Sequence, residues 1–271
     1  MYYPCNVKDA VEIQTVYTAF SQHFCKDYSF DGESHDFWET VFVLDGKVGV
    51  TADNDVYTLG SGQMVFHKPM EFHRIRSEGG TEPTVIIFSF AAADMPKLKK
   101  RVYAVTDEGL EEVKAILEMT ADIFALKDGR LCVDPERELD ARLSLKRLEV
   151  LLLTVIVSDE TEEIREISRG TESYRRIVDT MKKNIGSTLS VDDIARLCSM
   201  SRSNVKRVFS KYSGMGVIEY FNEMKVKRAK KLLREGMSIK EVSSALGFDN
   251  QNYFSTMFKR IDGVSPGKYK T

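Results

Sequence analysis

Two stretches near the C-terminal end repeat one pattern at an offset of about fifty residues. SVDDIARLCSMSRSNVKRVFSKY occupies 190–212 and SIKEVSSALGFDNQNYFSTMFKR occupies 238–260. Each reads as a short amphipathic helix, a tight turn and a second helix with a polar outer side. Ser190 stands at an N-cap with Asp192 and Asp193 in the first turn, where carboxylates complement the helix dipole. Gly247 supplies the turn in the second copy, and Ser199 must make it in the first. Ser201 caps the next helix of the first copy, and Asp249 or Asn250 that of the second. Ile194, Ala195 and Leu197 read as inward, as do Val205, Val208 and Phe209. A scaffold helix at 174–184 precedes the first copy. A long helix from Gly216 to Gly236 joins the two, with Ile218, Phe221, Met224, Ala229, Leu232 and Leu233 buried and Lys225, Lys227, Arg228, Lys230 and Lys231 largely outside.

The polar outer faces hold Ser203, Asn204, Lys206 and Arg207 in the first copy, and Gln251, Asn252, Ser255 and Thr256 in the second. Arg and Lys suit guanine edges or phosphates, Gln and Asn suit adenine edges, and a Thr methyl can meet a thymine methyl. Charge supports a polyanionic partner for this part of the chain alone. Residues 170–271 carry 20 Lys/Arg against 10 Asp/Glu, whereas the preceding 169 carry 19 against 31. A near-neutral total therefore conceals a basic back and an acidic front.

From residue 11 to about 90 the texture changes to short β-rich runs broken by turn signals, which predicts a sandwich or barrel. Asp45-Gly46 reads as a type I′ hairpin between 41–44 and 47–51, and further turns fall at Asp53-Asn54, Gly60-Ser61-Gly62 and Gly79-Gly80. ESHDFWETVFVLDGKV and YTLGSGQMVFHKPMEFH resemble the two motifs of the cupin barrel. In metal-bearing cupins these motifs supply three His and a Glu. The matching positions here are Glu33, His35, Glu39 and His73, with Glu33 standing where a His is expected. We assign no cofactor and no metal, and name those four as the candidates should one bind. A barrel of this size has room for one small effector, and His35, Trp38, Glu39, Tyr57, His67, His73 and Arg74 are the expected lining.

A helical period follows. Leu110, Val113, Ile116, Leu117, Met119, Ile123 and Phe124 predict a helix closed by Lys127-Asp128-Gly129. A second starts behind Asp134-Pro135 and runs through Leu139, Leu143, Leu148, Leu151, Leu152, Val155 and Ile156. Its later half is apolar on more than one side, which suits burial by the barrel and by a second copy, hence a homodimer. The charged run ending at Gly170 reads as the linker, set at 159–172.

The set A-x-x-x-x-M-S, R-x-F, R-A-x-x-L-L, I-x-E-V, L-G-F, F-x-x-x-F-K-R and G-x-S-P-x-x-Y, spread over 174–269, resembles the AraC/XylS family of bacterial transcription regulators. The resemblance implies a two-domain α+β chain. A cupin-like β-barrel effector domain (1–95), a helical dimerisation region (96–158) and the linker would precede an all-α DNA-binding domain (173–271) with two helix-turn-helix motifs. It also implies double-stranded promoter DNA, a small-molecule effector and RNA polymerase as partners, with 1–10 as a regulatory arm. On this reading the chain is not an enzyme. The alternatives are a metal-dependent cupin enzyme fused to a DNA-binding domain, and a thiol sensor built on Cys25 or Cys132. The scattered cysteines, Cys5, Cys25, Cys132 and Cys198, fit free thiols in a reducing cytoplasm, and the most apolar stretch, 150–157, is too short to span a membrane.

Overall fold

Two strands of the N-terminal part, β2 (Trp38–Asp45) and β7 (Thr84–Ala93), are apolar on both faces, because the sheet that contains them is covered twice. The computed structural model describes residues 3, 5, 10–128, 130–158 and 169–269. Its chain falls into two units, Met1–Ala52 with Tyr57–Arg165, and Asp53–Val56 with Glu166–Thr271.

In the first unit, β1 (Glu12–His23), β7, β2, β5 (Gln63–His67) and β8 (Val102–Ala104) form an antiparallel sheet in that order. The strands β4 (Asp55–Gly60), β3 (Lys47–Ala52) and β6 (His73–Ser77) form another. Val41, Val43, Val65, Val85 and Ile87 of the larger sheet meet Val48, Val50, Tyr57 and Leu59 of the smaller. Two facing sheets of this kind are the double-sheet arrangement that cupins share with other jelly rolls. The alternate residues Phe42, Met64, Phe66, Ile86, Phe88 and Phe90 project the other way. They pack on Val113 and Ile116 of α1 (Asp107–Ile123) and on Leu148, Leu151, Leu152 and Val155 of α2 (Glu138–Ser158).

Two local expectations are corrected. Asp45-Gly46 is not a hairpin turn, since β2 and β3 lie in different sheets. Gly46, at φ 75°, turns the chain from one sheet to the other, and a side chain there would press on Pro83, whose Cα lies 2.8 Å from the Cβ position. The β3–β4 hairpin is instead made at Asp53-Asn54, with Asp53 at φ 50°. Lys127-Asp128 does not close α1, which ends at Ile123. Phe124–Lys127 (β9) and Arg130–Val133 (β10) form a two-stranded hairpin, because the same turn residues serve a helix end or a chain reversal. Gly129 lies outside the described residues, as does most of the 1–10 arm. So does the linker up to residue 168, while from Arg169 the chain is helical.

In the second unit, α3 (Arg169–Lys183) precedes two copies of one device. The copies are α4 (Val191–Leu197) with α5 (Arg202–Ser213), and α7 (Ile239–Ala245) with α8 (Gln251–Asp262). Both first helices open on a capping box, Ser190 with Asp193 and Ser238 with Glu241. Ser199 (φ 52°) and Gly247 (φ 74°) make the equivalent left-handed turns, and Gly214 and Gly263 close the equivalent second helices. The connector α6 (Val217–Arg234) packs against α5 and against α7 and α8.

Sequence periodicity misplaces two side chains here. Leu197 is exposed, and Cys198 takes the inward position beside Ile194 and Ala195. Lys225, expected outside, is 2% exposed. Its Nζ donates to the carbonyls of Ser187 and Leu246, each at 2.7 Å, between the rings of Phe221 and Phe248.

Candidate effector pocket and candidate nucleic-acid interface

Strand alternation sends Glu39 and Val41 of β2, Ser89 of β7 and Thr18, Phe20 and Gln22 of β1 to one side of the large sheet. There they border a cavity of about 560 Å³. Phe24, Tyr28, Phe30, Phe37 and Ile75 give it apolar walls, and Glu33, His35, Glu39, His67 and His73 give it a titratable floor. Four of the seven expected lining residues, His35, Glu39, His67 and His73, stand on this wall. The other three do not. Trp38, the chain neighbour of Glu39, faces the helices, and Tyr57 is fully buried between the sheets. Arg74 is turned to the loop at residues 29–30, donating from Nε to the Phe30 carbonyl at 2.7 Å and from Nη2 to Ser29 Oγ at 2.5 Å. The aromatic walls were missed from sequence, although Thr18, Phe20 and Gln22 at alternate positions carry the strand signal.

The floor is a compact charge cluster. His73 Nε2 lies 3.3 Å from Glu39 Oε1 and 3.8 Å from Glu33 Oε1, and His35 Nε2 lies 3.8 Å from Glu39 Oε2. Ser89 Oγ donates to Glu39 Oε2 at 3.0 Å and receives the Thr18 hydroxyl at 2.7 Å. Burial alone would push the His73 pKa down, but the carboxylates of Glu33 and Glu39 outweigh it and raise it to about 10. For Glu39, burial pushes up, and the rings of His35 and His73 reverse this, holding it well below the usual carboxylate range. His67 stacks on His73 with ring centroids 4.3 Å apart, and its pKa is lowered by burial and then by the neighbouring positive charge. Its Nδ1 lies 3.3 Å from Glu71 Oε2, and Glu71 also pairs with Arg101 at 2.6 Å.

In the second unit the caps decide which side chains α5 and α8 present. Ser201 caps α5, leaving Ser203, Lys206 and Arg207 exposed and Asn204 half-buried. Asn204 Oδ1 accepts from Arg207 Nη2 at 2.8 Å, so one predicted contact residue orients another. Asn250, not Asp249, caps α8 through the amides of Asn252 and Tyr253. Gln251, Asn252 and Thr256 are exposed and Ser255 is half-buried. The Thr256 hydroxyl donates to the Asn252 carbonyl at 2.9 Å, which leaves its methyl as the distinctive outward group. Sequence reading overlooked Tyr253, 61% exposed on the same helix. It also overlooked Lys259 and Arg260, which border a groove with Ser255, Thr256 and Ser265.

Comparison with known proteins agrees with both halves. A helix-turn-helix domain model matches residues 176–271 and a cupin domain model matches residues 26–90. The Msm operon regulatory protein of Streptococcus mutans is 28% identical over 257 residues, spanning 90% of this chain and 88% of that protein. The HTH-type transcriptional activator RhaS of Pectobacterium carotovorum is 24% identical over 274 residues, spanning 95% and 90%. A transcriptional regulator of Chromobacterium violaceum with an AraC-type DNA-binding domain is 30% identical over 36% of this chain and 89% of its own, with a TM-score of 0.35. Among the described residues no helix is long and apolar enough to cross a membrane. With a cupin domain in front and a duplicated helix-turn-helix device behind, the chain has the domain organisation of AraC-type transcription regulators and is similar over 90% or more of its length to the two regulators named above.

Proposed function

We propose that the chain is a sequence-specific, ligand-responsive regulator that reads promoter DNA through α5 and α8, with the first-unit cavity as its effector pocket. The observation that carries this is the pair of reading helices. Each follows a left-handed turn, opens on a polar N-cap and ends at a left-handed glycine, and each presents exposed polar or cationic side chains while its inner face is buried. Ser203, Asn204, Lys206 and Arg207 serve the first half-site, and Gln251, Asn252, Ser255 and Thr256 the second. The rigid α6 would hold the two readers in register for successive major grooves. In this reading the barrel senses rather than catalyses, RNA polymerase is the downstream partner and the working form is a homodimer.

Selection of binding sites from random DNA with the full chain tests the proposal. One enriched motif with two separated sub-sites is expected, and the absence of any enrichment would sink it. On the selected site, Arg207→Ala is expected to cost about 1–3 kcal/mol, as for a lost bidentate base contact. An equal loss on unrelated DNA would instead make Arg207 a phosphate clamp.

A further inference from the structure

We propose that α3 and the loop after it form a second brace between the two helix-turn-helix copies, fixing the spacing at which they engage DNA. The connector α6 is then one of two links that join the copies. The part in DNA spacing rests on the regulator reading above, and the brace itself does not.

Both copies present the same acceptor. Cys198 ends α4 and Leu246 ends α7, and each stands directly before the left-handed residue of its turn, Ser199 or Gly247. A carbonyl at such a helix end has no partner within the helix and sits at the negative end of its dipole. Each accepts from a cation. Arg176 Nη1 of α3 donates to the Cys198 carbonyl at 3.4 Å, and Lys225 Nζ of α6 donates to the Leu246 carbonyl at 2.7 Å. The Cys198 thiol also donates to Thr180 Oγ1 of α3 at 3.3 Å, so α3 holds the first turn along residues 176–180.

The loop that follows α3 holds the second turn. Ser187 offers its carbonyl to the same Lys225 Nζ, at 2.7 Å, so one buried amine ties loop and turn together. The Thr188 hydroxyl donates to the Gly247 carbonyl at 2.7 Å. Beside these bonds backbone meets backbone. A Cβ on Gly186 would stand 2.9 Å from the Ala245 carbonyl oxygen, and one on Gly247 would stand 3.0 Å from the Ser187 carbonyl carbon. Glycine on both sides is what allows this approach. Ile185, next to the loop, packs into the second-copy core with Leu246, Phe254 and Phe258. A single connector could twist about its own axis, whereas two links that join the same bodies at different points cannot.

Thr188 is exposed, so its replacement tests the brace without disturbing a core. The full chain is prepared as wild type, Thr188→Val, Thr188→Ser and Gly186→Ala. For a distance measurement each also carries Ser210→Cys and Lys240→Cys, exposed positions on α5 and α7, with Cys5, Cys25 and Cys132 replaced by serine and the buried Cys198 kept. Spin labels on the new thiols are expected to report one narrow distance in wild type. The distribution should broaden or move in Thr188→Val and Gly186→Ala, and return in Thr188→Ser. In the second arm, the bipartite site selected from random DNA is rebuilt with one base pair added between its sub-sites, a rotation of about 35°. Wild type should bind this site at least about tenfold more weakly than the native spacing, a loss in the range of a mismatched base pair. Thr188→Val should cut that penalty about 2- to 10-fold, as for one net hydrogen bond, and Thr188→Ser should restore it. Identical distance distributions in all four proteins would overturn the brace. A broadened distribution with an unchanged spacer penalty would overturn its part in DNA spacing. If no bipartite site is selected, the regulator reading fails, and the distance arm still decides the brace.

Discussion

At the scale of single residues, Lys225 shows how a charge hides from pattern reading. It falls on the α6 stripe that contains Phe221, Ala229 and Leu232, four-residue spacing that would assign any apolar residue to the core. Its amine is accepted there because two carbonyls, of Ser187 and Leu246, point at it. Burial pushes its pKa down to about 8 from 10.5. Between those values the unfolded chain binds more protons than the folded one, so the penalty on folding is full below pH 8 and is withdrawn as pH rises through the window. Lys225→Met leaves both carbonyls without their donor and is expected to cost about 1–3 kcal/mol at neutral pH. In urea unfolding, the stability gap between wild type and Lys225→Met should widen from pH 8 to 10.5. A gap that stays flat would refute the shifted amine. The paired turns allow a second residue-scale prediction. Ser199 holds the left-handed conformation that Gly247 adopts freely, so Ser199→Gly should stabilise the unit by up to about 1 kcal/mol. Gly247→Ala should destabilise it by more, since the new Cβ would collide with the Gly186 carbonyl. Thermal unfolding of the two variants checks both signs. His35, Glu39 and His73 were legible in the sequence because motif spacing carried them. Trp38 was not, because both faces of the large sheet are buried and hydrophobicity no longer says which face is which. Tyr57 and Arg74 belong to the smaller sheet, where Arg74 alternates with the cavity-lining His73 and Ile75 and so faces away.

At the scale of elements, the same ambiguity recurs wherever one local signal serves two structures. Lys127-Asp128-Gly129 is as good a hairpin reversal as a helix end, and only the partner strand β10 decides. Asp45-Gly46 is a turn, as expected, yet what it joins depends on sheet order, which is a long-range property. The caps of α4 and α5, Ser190 and Ser201, suffered no such ambiguity, because an N-cap is settled within four residues of chain. For α8 the choice lay between the neighbours Asp249 and Asn250, of which Asn250 is the cap. Helix α2 lies between these cases. Its excess of apolar residues was readable, and the structure divides them. Leu148, Leu151, Leu152 and Val155 are buried within the unit, while Leu139, Leu143, Val150 and Val157 remain 56–85% exposed. Their spacing of four, seven and seven residues puts these four on one stripe, the geometry of a helix seam with a second copy. Leu143→Glu with Val150→Glu is expected to convert a dimer to a monomer in light scattering while leaving far-UV dichroism unchanged. A wild-type chain that is monomeric at micromolar concentration would count against α2 as the dimer seam.

At the scale of the whole molecule, the charge division is a statement about partners rather than about folding. Residues 170–271 hold twice as many basic as acidic residues, and the structure shows how local that excess is. Several cations of this region are spent internally. Lys230 pairs with Asp262 at 2.6 Å, Arg202 with Asp192 at 3.0 Å and Arg196 with Asp193 at 2.5 Å, and Lys225 is buried. What remains exposed on the reading helices includes Lys206 and Arg207 on α5 and Lys259 and Arg260 on α8. The first helix-turn-helix copy therefore carries its cations among the exposed residues proposed to face bases, while the second carries them beyond Thr256, towards the end of the helix. Under the proposed function, α5 would combine affinity with base contact, and α8 would make base contact by neutral amides with phosphate contact behind. With Arg207 on a base edge, Lys206, Lys259 and Arg260 remain as phosphate-neutralising side chains, so log K for the full chain is expected to fall against log salt with a slope of about −3, since each neutralised phosphate contributes about −0.9. Lys259→Ala with Arg260→Ala should reduce the steepness of that slope by about two without changing the preferred sequence. Gln251→Ala with Asn252→Ala should leave the slope alone and relax the sequence at one sub-site. Fluorescence anisotropy over a salt series on the selected and scrambled sites separates the two behaviours. If the α8 amide variant lost affinity equally on both sites, the division of labour within α8 would be wrong.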